Sequence, residues 1–186
     1  MAEKKLNTVR INAGEWRSRI IKFPDAVGLR PTPERVRQTL FNWLGQDLTG
    51  QACLDLFAGT GVMGFEALSR GAVSATLVEK STIALKALLD NKQQLKAINA
   101  QIVNQDALDF LNSNQQKFNL IFLDPPYHQK WLPKILPLLT QHLHYDGFIY
   151  AEAEYAINTA QDYAQGWQVI KQSKAGNVFY HLLKSI

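Results

Sequence analysis

Cysteine is almost absent: Cys53 stands alone among 186 residues, so no intrachain disulfide framework is available. It reads as a small core residue. Histidine is scarce too, at four residues. Only His142 and His144 lie close together, with no Cys, His or Asp set beside them, so no metal site is expected. No apolar run approaches the ~18 residues of a membrane-spanning helix. The start, Met1–Asn7, lacks the apolar core of a signal peptide, which makes the cytoplasm the expected compartment. Repeats and low-complexity segments are missing as well. What is present suits a globule, with 46% hydrophobic and 19% charged residues. The length fits one domain with a modest extension.

Charge is uneven. Residues 1–50 hold nine Lys+Arg against five Asp+Glu, whereas residues 51–186 hold eleven of each, so the net charge of +4 sits in the first quarter. A basic segment beside a neutral body suits a polyanion. The expected division is therefore a basic extension over 1–50 and a main domain over 51–186. In the extension, Val9–Lys22 reads as two short strands around Asn12-Ala13-Gly14. Thr32 is placed to cap a helix, with Pro33 at its first position and Glu34 in its first turn. Val36, Leu40, Trp43 and Leu44 form the stripe expected to dock that helix, leaving Arg35 and Arg37 off it. Trp16 and Trp43 suit packing of the arm onto the body.

From residue 51 short apolar runs alternate with helical patterns. Ala52–Phe57, Ala75–Glu79, Gln101–Asn104, Asn119–Leu123 and Gly147–Glu152 read as strands. Val62–Arg70, Ser81–Ala97 and an interrupted Trp131–Leu143 read as helices, the second with Leu85, Leu88, Leu89 and Lys92 on one face. Trp167–Gln172 and Val178–Leu183 read as a closing hairpin. Such an order predicts an α/β fold with a mostly parallel sheet covered on both faces.

Gly59, Gly61 and Gly64 follow a strand and open a helix in a G-x-G-x-x-G spacing. Bare glycines admit a ligand to the backbone, and the helix start favours an anion. Glu79, twenty residues on, can take ribose hydroxyls. A dinucleotide or S-adenosylmethionine fits this pattern. Asp55 favours the second, because a carboxylate there suits an ammonium and repels a pyrophosphate. Asp106 follows the third strand, where it can accept from an adenine amine or cap a helix.

Asp124-Pro125-Pro126-Tyr127 follows the fourth strand, at the edge where ligands of parallel sheets collect. Two prolines stiffen the loop. Asp124 offers a carboxylate, Pro126 a backbone carbonyl and Tyr127 a flat face for a base. The amino lone pair of a base is delocalised into its ring. Two acceptors on the N–H groups can turn that lone pair toward a methyl donor, so positioning and electrostatics carry the work. His128 and Lys130 flank the loop. The tetrapeptide specifies an exocyclic amine, not which base bears it.

Taken together, these pieces resemble the bacterial 16S rRNA guanine-N2 methyltransferase family, the small-subunit methyltransferases of type D. The resemblance rests on Arg10-Ile11, Gly14, Trp16-Arg17, Arg19, Arg30-Pro31-Thr32, Arg35-Val36-Arg37 and Leu40–Leu44, then Leu54–Gly61, Glu66–Ala72, Asp124–Tyr127 and Gly147–Glu152. It implies a class I S-adenosylmethionine-dependent methyltransferase fold, Rossmann-like, with a seven-stranded, mostly parallel sheet and an antiparallel C-terminal hairpin. It implies methylation of guanine 966 in a partly assembled small ribosomal particle, by a monomer without metal. Asp55, Phe57, Gly59, Thr60, Gly61, Glu79, Lys80, Asp106 and Ala107 would form the cofactor set. Asp124 to Tyr127 would hold guanine. Arg10, Arg17, Arg19, Arg30, Arg35 and Arg37 would contact RNA. Ser18 departs from the family, which commonly has glycine there, and Val62-Met63 replaces a commoner small-residue-plus-leucine pair. The residues alone leave other readings open: an amino methyltransferase of DNA adenine or another RNA, an NAD(P)-dependent oxidoreductase, or a silent RNA-binding factor.

Overall fold

The alternation of apolar runs and helical segments builds one sheet with a helical layer on each face. A computed structural model describes residues 6–186. Residues 1–5, with Lys4 and Lys5 of the basic extension, lie outside the described residues.

The extension begins with β1 (Leu6–Arg10) and β2 (Ile20–Pro24), an antiparallel pair, followed by α1 (Glu34–Leu44). The main chain then runs β3 (Ala52–Asp55), α2 (Val62–Ser69), β4 (Ser74–Val78), α3 (Thr82–Leu95), β5 (Ala100–Val103), α4 (Ala107–Ser113), β6 (Phe118–Leu123), α5 (Trp131–Leu139) and β7 (Leu143–Ala153). β8 (Trp167–Ala175) and β9 (Val178–Ser185) close it. The seven-stranded order is β5-β4-β3-β6-β7-β9-β8, with β3 to β7 parallel and β9 antiparallel to both β7 and β8. The order reverses between β3 and β6, and ligands of such sheets bind at that switch point.

Alternate residues of each strand feed two cores. Cys53, Leu77, Leu120, Phe122, Tyr150 and Tyr180 face the layer of α1, α2, α3 and the β1–β2 arm. Leu54, Val78, Ile121, Leu123, Ile149 and Trp167 face that of α4 and α5. Burial on both sides explains why these strands read as unbroken apolar runs.

Several local expectations change. Thr32 does not cap α1; Pro33 is the cap residue and no side chain caps the helix. The docking face of α1 is turned, with Val36, Arg37, Leu40 and Phe41 buried, while Trp43 and Leu44 are half-buried. Trp43 still stacks on Tyr180 of β9, centroids 5.5 Å apart. In α3 the buried face is Ala84, Leu88, Asn91 and Leu95; Leu89 is exposed. Asn91 replaces an expected apolar contact because its amide pairs with the Lys22 backbone in both directions, at 3.0 and 2.7 Å. This bond docks β2 on the body. Helix α4 adds to the elements expected from the sequence. Asp106 caps it, accepting from the Leu108 N–H at 3.0 Å. Helix α5 runs through Pro137 and ends in a single 3-10 turn over Thr140–His142.

Glycine is required where the arm touches the body. A Cβ on Gly14 would stand 1.7 Å from the Ser69 carbonyl oxygen, and Gly14 has φ +83°. The neighbouring amides of Glu15 and Trp16 bond the Ser69 carbonyl and hydroxyl at 2.7 and 2.9 Å. Such close backbone approach leaves no room for a side chain.

Candidate functional site

Five adjacent parallel strands deliver a carboxylate to one edge of the sheet. Asp106 follows β5, Glu79 follows β4, Asp55 ends β3, Asp124 follows β6 and Glu152 lies near the end of β7. Parallel pairing makes this convergence unavoidable, since every strand ends at the same edge.

The glycine loop sits between the first three. Gly59 and Gly61 have φ +51° and +78°, which favours glycine at both. A Cβ on Gly61 would meet Leu88 at 2.4 Å, and one on Gly64 would meet Leu77 at 2.9 Å. These two glycines therefore let α2 sit tightly on α3 and β4. At Gly59 a Cβ would make only ordinary contact, with Leu29 at 3.4 Å, so the positive φ rather than packing calls for glycine there. Glu79 accepts the Gly59 N–H at 2.9 Å and the Ser81 N–H at 2.7 Å, which fixes its carboxylate beside the loop. Thr60 is buried and its hydroxyl accepts from the Val62 N–H at 3.3 Å.

Asp55 is 3% exposed and accepts the Gly64 N–H at 3.3 Å. Burial pushes its carboxyl up to about 7; the Gly64 N–H opposes that, and Asp124 and Glu79 add to it. An ammonium group is the natural partner of such an acid. The set of a buried acid, a bare glycine turn and a second anchored acid twenty residues on fits a ligand with an amino acid end and a ribose. Asp106, Lys80 and Ala107 continue the row, with the Lys80 Nζ 3.6 Å from Asp106 and Ala107 buried at the start of α4. Phe57 packs edge-on against Trp131, centroids 5.2 Å apart.

On the other side of the switch point, Pro125 is buried while Pro126 and Tyr127 are exposed. His128 and Lys130 hold φ +63° and +51°, a strained backbone for residues with side chains. Glu154 restrains this loop, accepting from the His128 N–H and lying 3.2 Å from its Nδ1. Burial raises the carboxyl of Asp124, partly offset by the hydroxyl of Thr32. Glu152 is raised too, by burial and then by Asp124. The Tyr150 hydroxyl donates to Glu152 at 2.7 Å. The cleft beside this loop is lined by Pro125, Pro126, Tyr127, Trp131, Glu152 and Glu154, among others.

The arm crosses the same edge. Leu29 is the side chain nearest Gly59, and the hydroxyl of the buried Thr32 partly offsets the burial that raises Asp124 and Glu152. Arg30, between them in the chain, is exposed, as are Arg10, Arg17, Arg19 and Arg35. Arg10 donates to the Ser18 carbonyl at 3.1 Å and Arg19 to the Gln94 carbonyl at 3.0 Å. Arg37 is different and leaves the RNA-facing set. It is 1% exposed, pairs with Glu66, and donates to the carbonyls of Thr32 and Arg10 at 3.1 and 3.0 Å. Helical periodicity placed it off the apolar stripe, but a buried carboxylate drew it inward.

Reading the sequence for sites passed over Thr32, Trp131, Glu152 and Glu154. Glu152 left a trace, being the lone acid in the apolar run Phe148–Ala153. Thr32 left none, because its partners come from distant strands.

Known proteins resemble the chain throughout. The family model described as "Conserved hypothetical protein 95" matches residues 9–184. The Ribosomal RNA small subunit methyltransferase D of Escherichia coli K12 is 41% identical over 176 residues, which span 94% of this chain and 88% of that protein. The solved structure of yhhF from Escherichia coli superposes with a TM-score of 0.86 at 37% identity, covering 96% of this chain and 98% of that one. SMU.776, solved with SAH, shares the fold at TM-score 0.76 and 16% identity, over 99% of this chain and 57% of that one.

Proposed function

Because the chain belongs to the ribosomal RNA small subunit methyltransferase D family, we propose that it methylates the exocyclic N2 of a guanine in 16S rRNA, guanine 966 by resemblance. The protein is an S-adenosylmethionine-dependent methyltransferase of the class I fold. The observation that carries the choice of reacting group is the stiff Asp124–Tyr127 loop beside the glycine loop at the switch point.

S-adenosylmethionine supplies a methyl group on a sulfonium, so no strongly basic residue is needed to drive the transfer. In this reading Asp55 holds the ammonium of that molecule, Glu79 its ribose and Asp106 its adenine amine, with the backbone of Gly59, Thr60 and Gly61 around it. Phe57, Lys80 and Ala107 complete the walls. Asp124 and the Pro126 carbonyl accept the two N–H groups of guanine N2 and turn its lone pair toward the methyl group. Tyr127, 40% exposed, offers its ring to the base. Asp124 is half-buried, and the partial loss of water that raises its carboxyl also strengthens its hold on an N–H donor. The surplus proton leaves the methylated nitrogen through Asp124 to water. Arg10, Arg17, Arg19, Arg30 and Arg35 face solvent and would engage phosphates. A partly assembled small ribosomal particle is the fitting substrate, with the enzyme acting as a monomer.

The test is methyl transfer from labelled S-adenosylmethionine to 16S rRNA or small ribosomal particles lacking the modification, with the product nucleoside identified by mass spectrometry. N2-methylguanosine is expected from the wild type. Asp124→Ala should lower turnover at least a hundredfold while cofactor affinity stays within about threefold. Methylated adenosine as the sole product would overturn the choice of base.

A further inference from the structure

We propose that Glu154 is a positioning residue for methyl transfer: its carboxylate pins the His128 backbone N–H, and so fixes the Pro126 carbonyl and the Tyr127 ring in the cleft. The inference rests on the reading of Asp124–Tyr127 as the holder of the base. It begins with what that loop lacks. Pro125 and Pro126 have no N–H to donate, so Tyr127 and His128 carry the first backbone donors after Asp124. Among the described residues, no backbone–backbone hydrogen bond ties residues 125–129 to another strand or to a helix. The backbone at His128 and Lys130 is nevertheless left-handed, with φ +63° and +51°. Residues with side chains keep that conformation only where their surroundings impose it.

The surroundings differ on the two sides of the loop. Toward α5, the Gln129 Oε1 accepts the Trp131 indole N–H at 3.1 Å, and the Gln129 carbonyl accepts from the Lys134 Nζ at 3.5 Å. Both partners lie within five residues along the chain, so they tie the loop to its own continuation and not to the sheet. Toward β7, the His128 N–H donates to Oε1 of Glu154, twenty-six residues away. The His128 Nδ1 lies 3.2 Å from the same oxygen, but the His128 side chain is 90% exposed. An exposed pair of that kind contributes little, so the backbone bond is the tie. A carboxylate is also a stronger acceptor for an N–H than a neutral oxygen.

Glu154 can act as a pin because its own chain is fastened on both sides. Before it, Ala153 pairs with Phe179 of β9. After it, the N–H of buried Ile157 donates to Nε2 of His181 at 3.0 Å. That leaves the ring proton on Nδ1, which donates to the Ala151 carbonyl at 3.2 Å. His181 is fully buried and stands opposite Ala151 in the register of β7 and β9. On the loop side, the two prolines fix φ at 125 and 126, and Glu154 holds the amide two residues beyond Pro126. Tyr127 lies between these restraints and lines the same cleft as Glu154. Releasing the pin costs alignment of the base with the methyl group more than it costs affinity.

The experiment compares wild type, Glu154→Ala, Glu154→Gln and His128→Ala. It reads kcat for methyl transfer, S-adenosylmethionine affinity, RNA affinity and the amide proton shift of residue 128 in nitrogen-15-labelled protein. Glu154→Ala should lower kcat about tenfold or more, with both affinities within about threefold of wild type. Its residue 128 amide should move upfield, a readout that needs no RNA. Glu154→Gln keeps an oxygen for the N–H and should recover kcat to within about threefold of wild type. His128→Ala keeps the N–H and should stay near wild type. The inference is overturned by a Glu154→Ala kcat within threefold of wild type, or by an amide that does not move. A Glu154→Gln variant as slow as Glu154→Ala overturns it too, as does a His128→Ala variant that slow. If wild type methylates adenine instead of guanine, the guanine reading falls, and the same ratios among the variants on adenine support the pin.

Discussion

Arg37 of α1 and Glu66 of α2 form an ion pair excluded from solvent at both ends, at 1% and 0% exposure. Arg70 joins the same carboxylate at 2.7 Å and lies 4.1 Å over the ring of Phe41. The arm is therefore tied to the body by charge as well as by apolar packing, and Arg37 also holds the Thr32 carbonyl at 3.1 Å.

Breaking one side of such a pair strands the other charge. Arg37→Met should lower unfolding free energy by about 3 kcal/mol, the low end for buried pairs because Arg70 stays on Glu66. Urea denaturation measures it, and a loss under ~1 kcal/mol would show that Arg70 alone satisfies the carboxylate.

Asp55 gives the protein an inverted pH dependence. Its folded carboxyl, raised to about 7, binds a proton that the unfolded chain releases nearer its ordinary value of 3.8. The stability it contributes is fully present below the unfolded value and is lost as pH rises through about 7. Wild type should therefore lose stability relative to Asp55→Asn by roughly 2 kcal/mol or more between pH 5 and pH 8. Parallel urea curves for the two proteins at both pH values would expose a constant difference if this is wrong.

Cofactor binding should move the other way. An ammonium needs an ionised Asp55, so S-adenosylmethionine affinity should rise severalfold from pH 5.5 to about 7 and then level off. In Asp55→Asn it should be weak and flat. Calorimetric titration across this range decides the point.

Arg17 and Arg30 are exposed and lie in the arm. Replacing both by alanine should weaken RNA binding and reduce the slope of log affinity against log salt by about 1.4, at ~0.7 per phosphate contact on single strands. Thermal stability should shift little. A slope equal to wild type would remove them from the interface.

Ser18 has φ +70°, a left-handed conformation that costs a side-chain-bearing residue about 1 kcal/mol. Its N–H bonds the Ile11 carbonyl at 2.9 Å, and that bond does not need the side chain. Ser18→Gly should raise Tm by about 2–4 °C. No gain in a melting curve would mean that the hydroxyl has a compensating contact.

Local sequence carried much of the fold. The strands were legible because burial on both faces makes them apolar throughout, as in Asn119–Leu123 inside β6. The glycine turn was legible because positive φ and close helix packing each demand a missing side chain. The same holds for Asp55, Glu79 and Asp124, whose positions after successive strands place them at one edge by topology alone.

Other features came only with the tertiary structure. Arg37 looked like surface charge until Glu66, on another helix, made its burial possible. Asn91 was not on the helix face read from the sequence, and it is buried because the arm's backbone gives its amide both partners. Thr32 looked like a cap, yet it caps nothing; it is buried, and its carbonyl accepts from Arg37. Period and propensity report what a residue does with its neighbours in the chain. A buried polar group is instead decided by partners that folding brings from elsewhere, because it cannot stay buried without them.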